Sequence, residues 1–372
     1  MSMQETPSLD EVRGVEDVER VLGADGKRIV NKRLDPYLSD INVNDVRELW
    51  SDMIVIRRID TEGFSLQRQG QLGLWAPSRG QEASQLGSTR GFRETDFLFP
   101  SYREHGVLYA RGAKPGDFTR VWRGEEGAAY GPTDFNMAPS QIIIGAQTLH
   151  ATGYAMGISR DGSDEVAGVY FGDGATSQGD VNEAMVFSAS YNAPVVFVCQ
   201  NNQWAISEPV TVQAKHPIAG RAPAFGIPSM RVDGNDVLAV LAATRWAAEH
   251  ARTGNGPAFL ELVTYRMGPH TTSDDPTRYR NEDDVELWAQ RDPIARVESY
   301  LRSLKELDES HLEAANEKAD AVAAELRAAC IGMVTRPALA VFDGVYAEPH
   351  TGIRRQRDDY AAYLEGFEGG AK

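Results

Sequence analysis

Two short apolar runs, each breaking into polar and glycine residues at its end, constrain the architecture of this chain more than any other feature. Val166-Ala167-Gly168-Val169-Tyr170-Phe171 leads into Gly172-Asp173-Gly174, and Val195-Val196-Phe197-Val198-Cys199 leads into Gln200-Asn201-Asn202. Each run is the length of a buried strand. Between them the spacing predicts a helix from about Val181 to Tyr191, with Asp180 as its cap, Glu183 in capping-box register, and Asn192 and Pro194 closing it. Strand, helix and strand make a βαβ unit, whose right-handed crossover leaves the two strands parallel. Asp173 and Asn202 then meet at the carboxyl edge of the sheet, where open α/β folds gather their ligands.

The residue types at that edge have a chemical logic. Magnesium takes oxygen ligands in octahedral geometry, usually one or two carboxylates with phosphate and water completing the set. Asp173 offers charge, Asn202 a neutral oxygen, and the backbone carbonyl near Trp204 a third protein ligand. Gly172 and Gly174 let the backbone approach phosphate groups, and the amides of such a turn can hydrogen-bond them.

The rest of the chain fits a single α/β domain. At 372 residues it can bury a large core. A net charge of −16, with the basic residues scattered, argues against a nucleic-acid or anionic-membrane surface. Two cysteines, Cys199 and Cys330, provide no disulfide framework and suit a reducing compartment. No signal peptide or membrane-spanning run is visible, so a cytoplasmic protein is expected. Residues 1–40 read as a charged arm with little to build a core of its own. A helix follows from Asn42, capped by Asn42 or Asn44, with Val43, Val46, Leu49, Trp50, Met53 and Ile54 at helical spacing. Glycine-rich loops and short helices are expected over 70–140. An apolar run, Ile142 to Ile144, ends in Gly145, and the next helix carries small residues (Ala151, Gly153, Ala155, Gly157) suited to close packing. Strands are predicted at Ser229–Val232 and Ala258–Tyr265, with an amphipathic helix from Asn235 to Arg252 between them. The main domain is expected over 41–345, with a charged helical extension at 283–330 and a polar tail over 346–372.

Taken alone, Gly-Asp-Gly is a common turn and Asn-Asn a strand-ending loop. Together, with 26 residues between them at positions 175–200, they match the thiamine diphosphate fingerprint. The fuller text, Phe171 to Asp180 and Asn201-Asn202-Gln203-Trp204-Ala205-Ile206-Ser207, resembles the alpha subunit of the decarboxylating component of 2-oxo acid dehydrogenase complexes. The resemblance covers roughly residues 45–345. It implies a thiamine diphosphate-binding α/β fold with a mainly parallel sheet, and thiamine diphosphate with Mg²⁺ as cofactors. It also implies metal contacts from Asp173, Asn202 and Trp204, and cofactor contacts from Gly172, Gly174 and Ala175.

Three further segments carry the same resemblance. Ser101-Tyr102-Arg103-Glu104-His105-Gly106 matches a motif that places Tyr102 and Arg103 on the cofactor diphosphate, a task suited to a fixed-charge fork donor. Ile142-Ile143-Ile144-Gly145-Ala146-Gln147 resembles the loop holding the aminopyrimidine, with Ile144 as the aliphatic wedge that bends the cofactor and Ile142 beside it. A buried strand is the plainer reading of that apolar run. Ala146 lacks the hydroxyl of potassium-binding relatives, so no potassium site is expected. Tyr265-Arg266-Met267-Gly268-Pro269-His270 through Arg278-Tyr279-Arg280 resembles the family's active-site loop. It implies that His270 reaches the cofactor and is catalytic, with an ordinary pKa near neutrality suited to proton transfer.

The implied reaction is oxidative decarboxylation of a 2-oxo acid, with the acyl group passing to a lipoyl group of the acyltransferase component. The glutamate that activates the cofactor comes from a beta subunit in this family, and no beta-like half is evident here. Two alpha and two beta chains, and docking to the lipoyl domain and acyltransferase core, are therefore the expected partners. Ser229 to Asp236 and the Thr271-Thr272-Ser273-Asp274-Asp275 run resemble the branched-chain type, whereas Ile142–Gln147 resembles the pyruvate type. Branched-chain substrates are favoured, read in part by Phe64, Leu74 and Trp75, with pyruvate or acetoin dehydrogenase as the alternative. A remoter alternative is a non-catalytic phosphate-binding assembly protein, but no Gly-x-x-x-x-Gly-Lys-Ser/Thr loop is present.

Overall fold

The computed structural model describes residues 17–125 and 130–368; part of the expected arm, residues 1–16, lies outside them. Five strands, β1 (Phe97–Phe99), β2 (Ala167–Gly172), β3 (Val195–Asn201), β4 (Ser229–Asp233) and β5 (Ala258–Val263), form one sheet in the order β1-β2-β3-β5-β4. Every pairing is parallel. β3 and β5 are buried along their whole length, as strands covered by helices on both faces must be. Side chains alternate between two cores. Val196 and Val198 join the core beneath the long helix Val43–Arg68, whereas Val195, Phe197 and Cys199 face Ala151, Ala155, Val181 and Ala184 of the two helices on the other side.

The βαβ unit forms as the spacing predicts. Its helix spans Gly179–Ser190, and β2 pairs with β3 from Ala167↔Val195 to Gly172↔Gln200. Asp180 is not the cap: the capping position is Gln178, without a side-chain cap, and Asp180 sits exposed in the first turn. The chain instead enters the helix through a 3-10 turn, Asp173–Ser177. Asn192 adopts φ +50°, one of the few non-glycine residues suited to that left-handed exit.

Asn42 does cap the long helix. Its side chain accepts from the N–H groups of Asn44 (2.8 Å) and Asp45, and the Asp45 carboxylate accepts from the Asn42 N–H at 2.8 Å. Asn42→Ala is expected to lower unfolding stability by about 1 kcal/mol. An unchanged midpoint in urea denaturation would show that tertiary packing alone sets this helix end.

Four expectations need correction. Residues 17–40 are more than an arm, because Val21, Leu22 and Leu34 are fully buried. Glu19 donates its N–H to the Arg231 carbonyl and accepts from the Asp233 N–H, a single parallel bridge on the free edge of β4. The Asp236 carboxylate takes the N–H groups of both Val21 and Leu22. Second, the helix Val237–His250, packed between the helix Glu82–Gly91 and the sheet, is buried on almost every side through Thr244 rather than amphipathic. Third, Ile142 to Ile144 form an exposed bend instead of a strand. Fourth, β1 falls where loops and short helices were expected. Along the helix Ala146–Asp161, Ala151 and Ala155 pack inward, but Gly153 faces outward and nothing lies within 4 Å of a Cβ added at Gly153 or Gly157.

The extension is helical over Glu282–Ala289, Pro293–Ser303 and Glu309–Ile331. One compact unit ends at Ile331, and a second begins at Gly332, ahead of the expected boundary at 345. The second unit holds the helix Thr351–Glu368 within the stretch expected as a polar tail, where straight-chain residues such as Arg354, Arg355 and Gln356 favour helix. Among the described residues, no helix is long and apolar enough to cross a membrane.

Candidate active site

Asp173 directly follows β2 and Asn202 directly follows β3, so the parallel register sets them at one edge of the sheet. A cavity of about 240 Å³ opens there. Tyr102, Arg103, Ile144, Gly172, Asp173, Gly174, Ala175, Asn202, Trp204 and His270 all line it, although they come from segments up to 168 positions apart in numbering (102 to 270). Ile142 does not; it is 56% exposed, outside the lining. Phe64, Leu74 and Trp75 do not line it either. Trp75 is fully buried and stacks on His105, with ring centroids 4.2 Å apart.

The corner at the end of β2 is built on a buried carboxyl group. Asp173 is 1% exposed, its Oδ2 has no hydrogen-bond partner, and burial lifts its pKa to about 7. An acceptor buried without a partner costs free energy unless a ligand meets it. Asn202 donates through Nδ2 to Gln81 Oε1 at 3.1 Å and accepts on Oδ1 from the Trp204 N–H at 3.3 Å, leaving one lone pair on that oxygen. The intervening Gln203 stands at φ +71°, a left-handed conformation of the kind that collects at functional turns. A Cβ added at Gly174 would lie 2.7 Å from the Ala205 Cβ, so only glycine lets the two loops approach this closely. At Gly172 an added Cβ would meet no protein atom within 4 Å, which leaves open space beside Asp173.

The opposite wall is cationic. Arg103, 6% exposed, donates from Nη1 to the Pro77 carbonyl at 2.6 Å and from Nη2 to His270 Nδ1 at 3.1 Å. Because the guanidinium can only donate, His270 accepts on Nδ1 and carries its proton on Nε2. Burial, with Arg103 and Arg266 close by, pulls the His270 pKa down to about 3. The imidazole is therefore neutral at physiological pH, not near its midpoint as the sequence led one to expect. Its loop is clamped in turn. The His270 N–H donates to Asp274 at 2.8 Å, the Tyr279 hydroxyl donates to the same carboxylate, and Arg280 donates to the carbonyls of Arg266, Met267 and Gly268.

Several lining residues had no assigned role in the sequence reading. Gln81, Gln147 and Gln200 all line the cavity, and each keeps one buried amide atom without a partner (Nε2, Oε1 and Oε1 respectively). Glu104 is buried between Ser101 and Gln200, and burial raises its pKa. Gln147 and Glu104 sit inside segments that the sequence had already marked. Gln81 has no local signal: only the fold brings it to Asn202.

Comparison with known proteins gives the family. Residues 51–330 match the family model described as dehydrogenase E1 component. The 3-methyl-2-oxobutanoate dehydrogenase subunit alpha of Mycobacterium tuberculosis is 45% identical over 346 residues, covering 93% of this chain and 94% of that protein. Pyruvate dehydrogenase E1 component subunits alpha are also similar. That of Acholeplasma laidlawii is 37% identical over 92% of this chain and 99% of its own, and that of Bacillus cereus 42% over 78% and 79%. The chain belongs to the dehydrogenase E1 component family, whose membership implies the use of thiamine diphosphate.

Proposed function

We propose that this chain is the alpha subunit of a branched-chain 2-oxo acid dehydrogenase, holding thiamine diphosphate through Mg²⁺ and passing the acyl group to the lipoyl group of an acyltransferase component. The observation that carries the reading is the unpartnered, buried Asp173 carboxylate oxygen beside Asn202, facing the cavity shared with Arg103 and His270. The donor set fits the cofactor. Asp173, Asn202 and the Trp204 carbonyl are hard oxygen ligands for Mg²⁺. Tyr102, Arg103 and the free Gln81 Nε2 are donors for a diphosphate. Ile144 provides aliphatic surface for a ring, and Gln147 and Gln200 offer unfilled acceptors. When bound, thiamine diphosphate supplies the electron sink for decarboxylation.

This chain's residues do the rest. Arg103 and Asp173 fix the diphosphate end, and Ile144 supports the ring. Neutral His270 presents its Nε2–H to the cavity as a hydrogen-bond donor. A separate beta subunit completes the site, in an assembly of two alpha and two beta chains. The volume of about 240 Å³ is below the roughly 300–1,000 Å³ of whole small-molecule sites, as half a site should be.

The higher identity to the 3-methyl-2-oxobutanoate enzyme favours branched-chain substrates over pyruvate. Co-expression with the beta subunit and assay on 3-methyl-2-oxobutanoate, 4-methyl-2-oxopentanoate and pyruvate tests this. The branched acids should exceed pyruvate in kcat/KM by about tenfold or more, the discrimination that added methyl groups earn in an apolar pocket. The reverse ranking would assign the chain to the pyruvate type, and full activity without a beta subunit would refute the shared site.

A further inference from the structure

The turn Trp75–Gln81 touches three of the segments that build the cavity, and a carboxylate outside the cavity takes three of its N–H groups. That carboxylate is Asp60, 6% exposed on the helix Val43–Arg68. Asp60 Oδ1 accepts from Trp75 Nε1 at 3.0 Å and from the Ser78 N–H at 2.9 Å; Oδ2 accepts from the Arg79 N–H at 3.2 Å. Three of the turn's donors thus point to the helix, while the Gly80 N–H donates to Glu82 Oε2 at 3.0 Å.

Its acceptors point the other way, to the three site segments. The Ala76 carbonyl meets His105 Nε2 at 3.2 Å, and the Pro77 carbonyl takes Arg103 Nη1 at 2.6 Å. The Arg79 and Gly80 carbonyls take the Met267 N–H (3.2 Å) and the Thr264 hydroxyl (2.7 Å). Trp75 exchanges two bonds with Thr272, and Gln81 Oε1 takes Asn202 Nδ2. Gly80, at φ +96°, lies so close to the next segment that an added Cβ would be 2.4 Å from the Tyr265 carbonyl. The turn has no slack to absorb a shift.

We propose that Asp60 is a positioning residue of the cofactor site: by fixing the turn Trp75–Gln81 it sets Arg103, Asn202 and the His270 loop in one geometry. The role requires a carboxylate. A carboxamide at position 60 accepts on one oxygen only, so its NH₂ group would confront one of three N–H donors, two of them buried. The inference rests on the reading of the cavity as a thiamine diphosphate site.

The test is calorimetric titration of thiamine diphosphate with Mg²⁺ into the full-length chain purified with its beta subunit. Asp60→Asn should weaken Kd by about tenfold, the scale on which partners that orient binding residues act. In an Arg103→Ala background, where the Pro77 link is already cut, the same change should cost about threefold or less, because residues acting through one contact are not additive. A variant with a lowered melting temperature but wild-type Kd, or with an equal loss in both backgrounds, would reduce Asp60 to a structural residue and overturn the proposal. If Asp60→Asn does not fold, Trp75→Phe removes one of the three donors and keeps the ring; it should weaken Kd about threefold, and unchanged binding overturns the proposal. Wild-type protein that takes up no thiamine diphosphate overturns the cofactor reading, and this inference with it. Wild-type binding matched by every variant overturns this inference alone.

Discussion

Asp173→Asn should abolish Mg²⁺-dependent binding of thiamine diphosphate while leaving the fold intact. The substitution preserves shape, so the 3-10 turn that Asp173 opens, closed by the Thr176 hydroxyl on the Asp173 carbonyl at 2.7 Å, has no reason to change. What disappears is the carboxylate proposed as the anionic ligand. A neutral oxygen in its place leaves the cation with amide and carbonyl donors only, and affinity should fall by on the order of 100-fold or more. Asn202→Ala, which removes a neutral ligand and the bond to Gln81, should cost less, about tenfold. Calorimetry with and without a chelator separates the contributions. Wild-type binding should vanish on chelation, and a variant Kd within threefold of wild type would mean that the metal, or the whole diphosphate, sits elsewhere.

The ranking of those two losses follows from how the sheet edge is built, and that edge was the part most legible in the sequence. A pair of apolar runs separated by one helix leaves few topologies, and the parallel register of β2 with β3 places Asp173 and Asn202 together without reference to any other contact. Local signals did as well at Asn42, where a cap and its reciprocal Asp45 lie three residues apart. They failed where distant parts of the chain decide the outcome. Ile142 to Ile144 look like a strand, yet the segment joins no ladder and lies exposed in a bend. Val21 and Leu22 are too few to imply a core, but Asp236, more than 200 positions later, accepts both of their N–H groups and draws them in. Phe97–Phe99 is only three residues long and becomes a strand because β2 pairs with it. Gln81 and Asp60 belong to the same class. Neither lies in a recognisable motif, and their importance comes from a turn whose partners are scattered over residues 103–272.

His270 lines the cavity, but its ionisation state differs from the one the sequence led one to expect, and the difference is measurable. With its pKa at about 3 instead of the ordinary 6.5, the folded chain resists a proton that the unfolded chain binds below pH 6.5. Stability therefore falls as pH drops from about 6.5 toward 3, because the unfolded state holds more protons across that window. His270→Ala lacks the penalty, so the stability difference between variant and wild type should move in the variant's favour between pH 7.5 and pH 5; an imidazole that titrated near 6.5 in the folded chain would give no such change. The functional loss should be larger and of another kind. Cofactor affinity should weaken by less than about tenfold, the value of one hydrogen bond. Transfer of the acyl group to a free lipoyl domain should slow by on the order of 100-fold or more, as expected when a positioned hydrogen-bond donor is removed. Burial is the largest cause of the depressed His270 pKa and the Arg103 guanidinium the next, so negative charge brought beside Arg103 by a diphosphate would offset the second and leave the first. Single-turnover transfer at equal rates in variant and wild type would exclude His270 from the chemistry, and matched losses in binding and transfer would make it a cofactor ligand only.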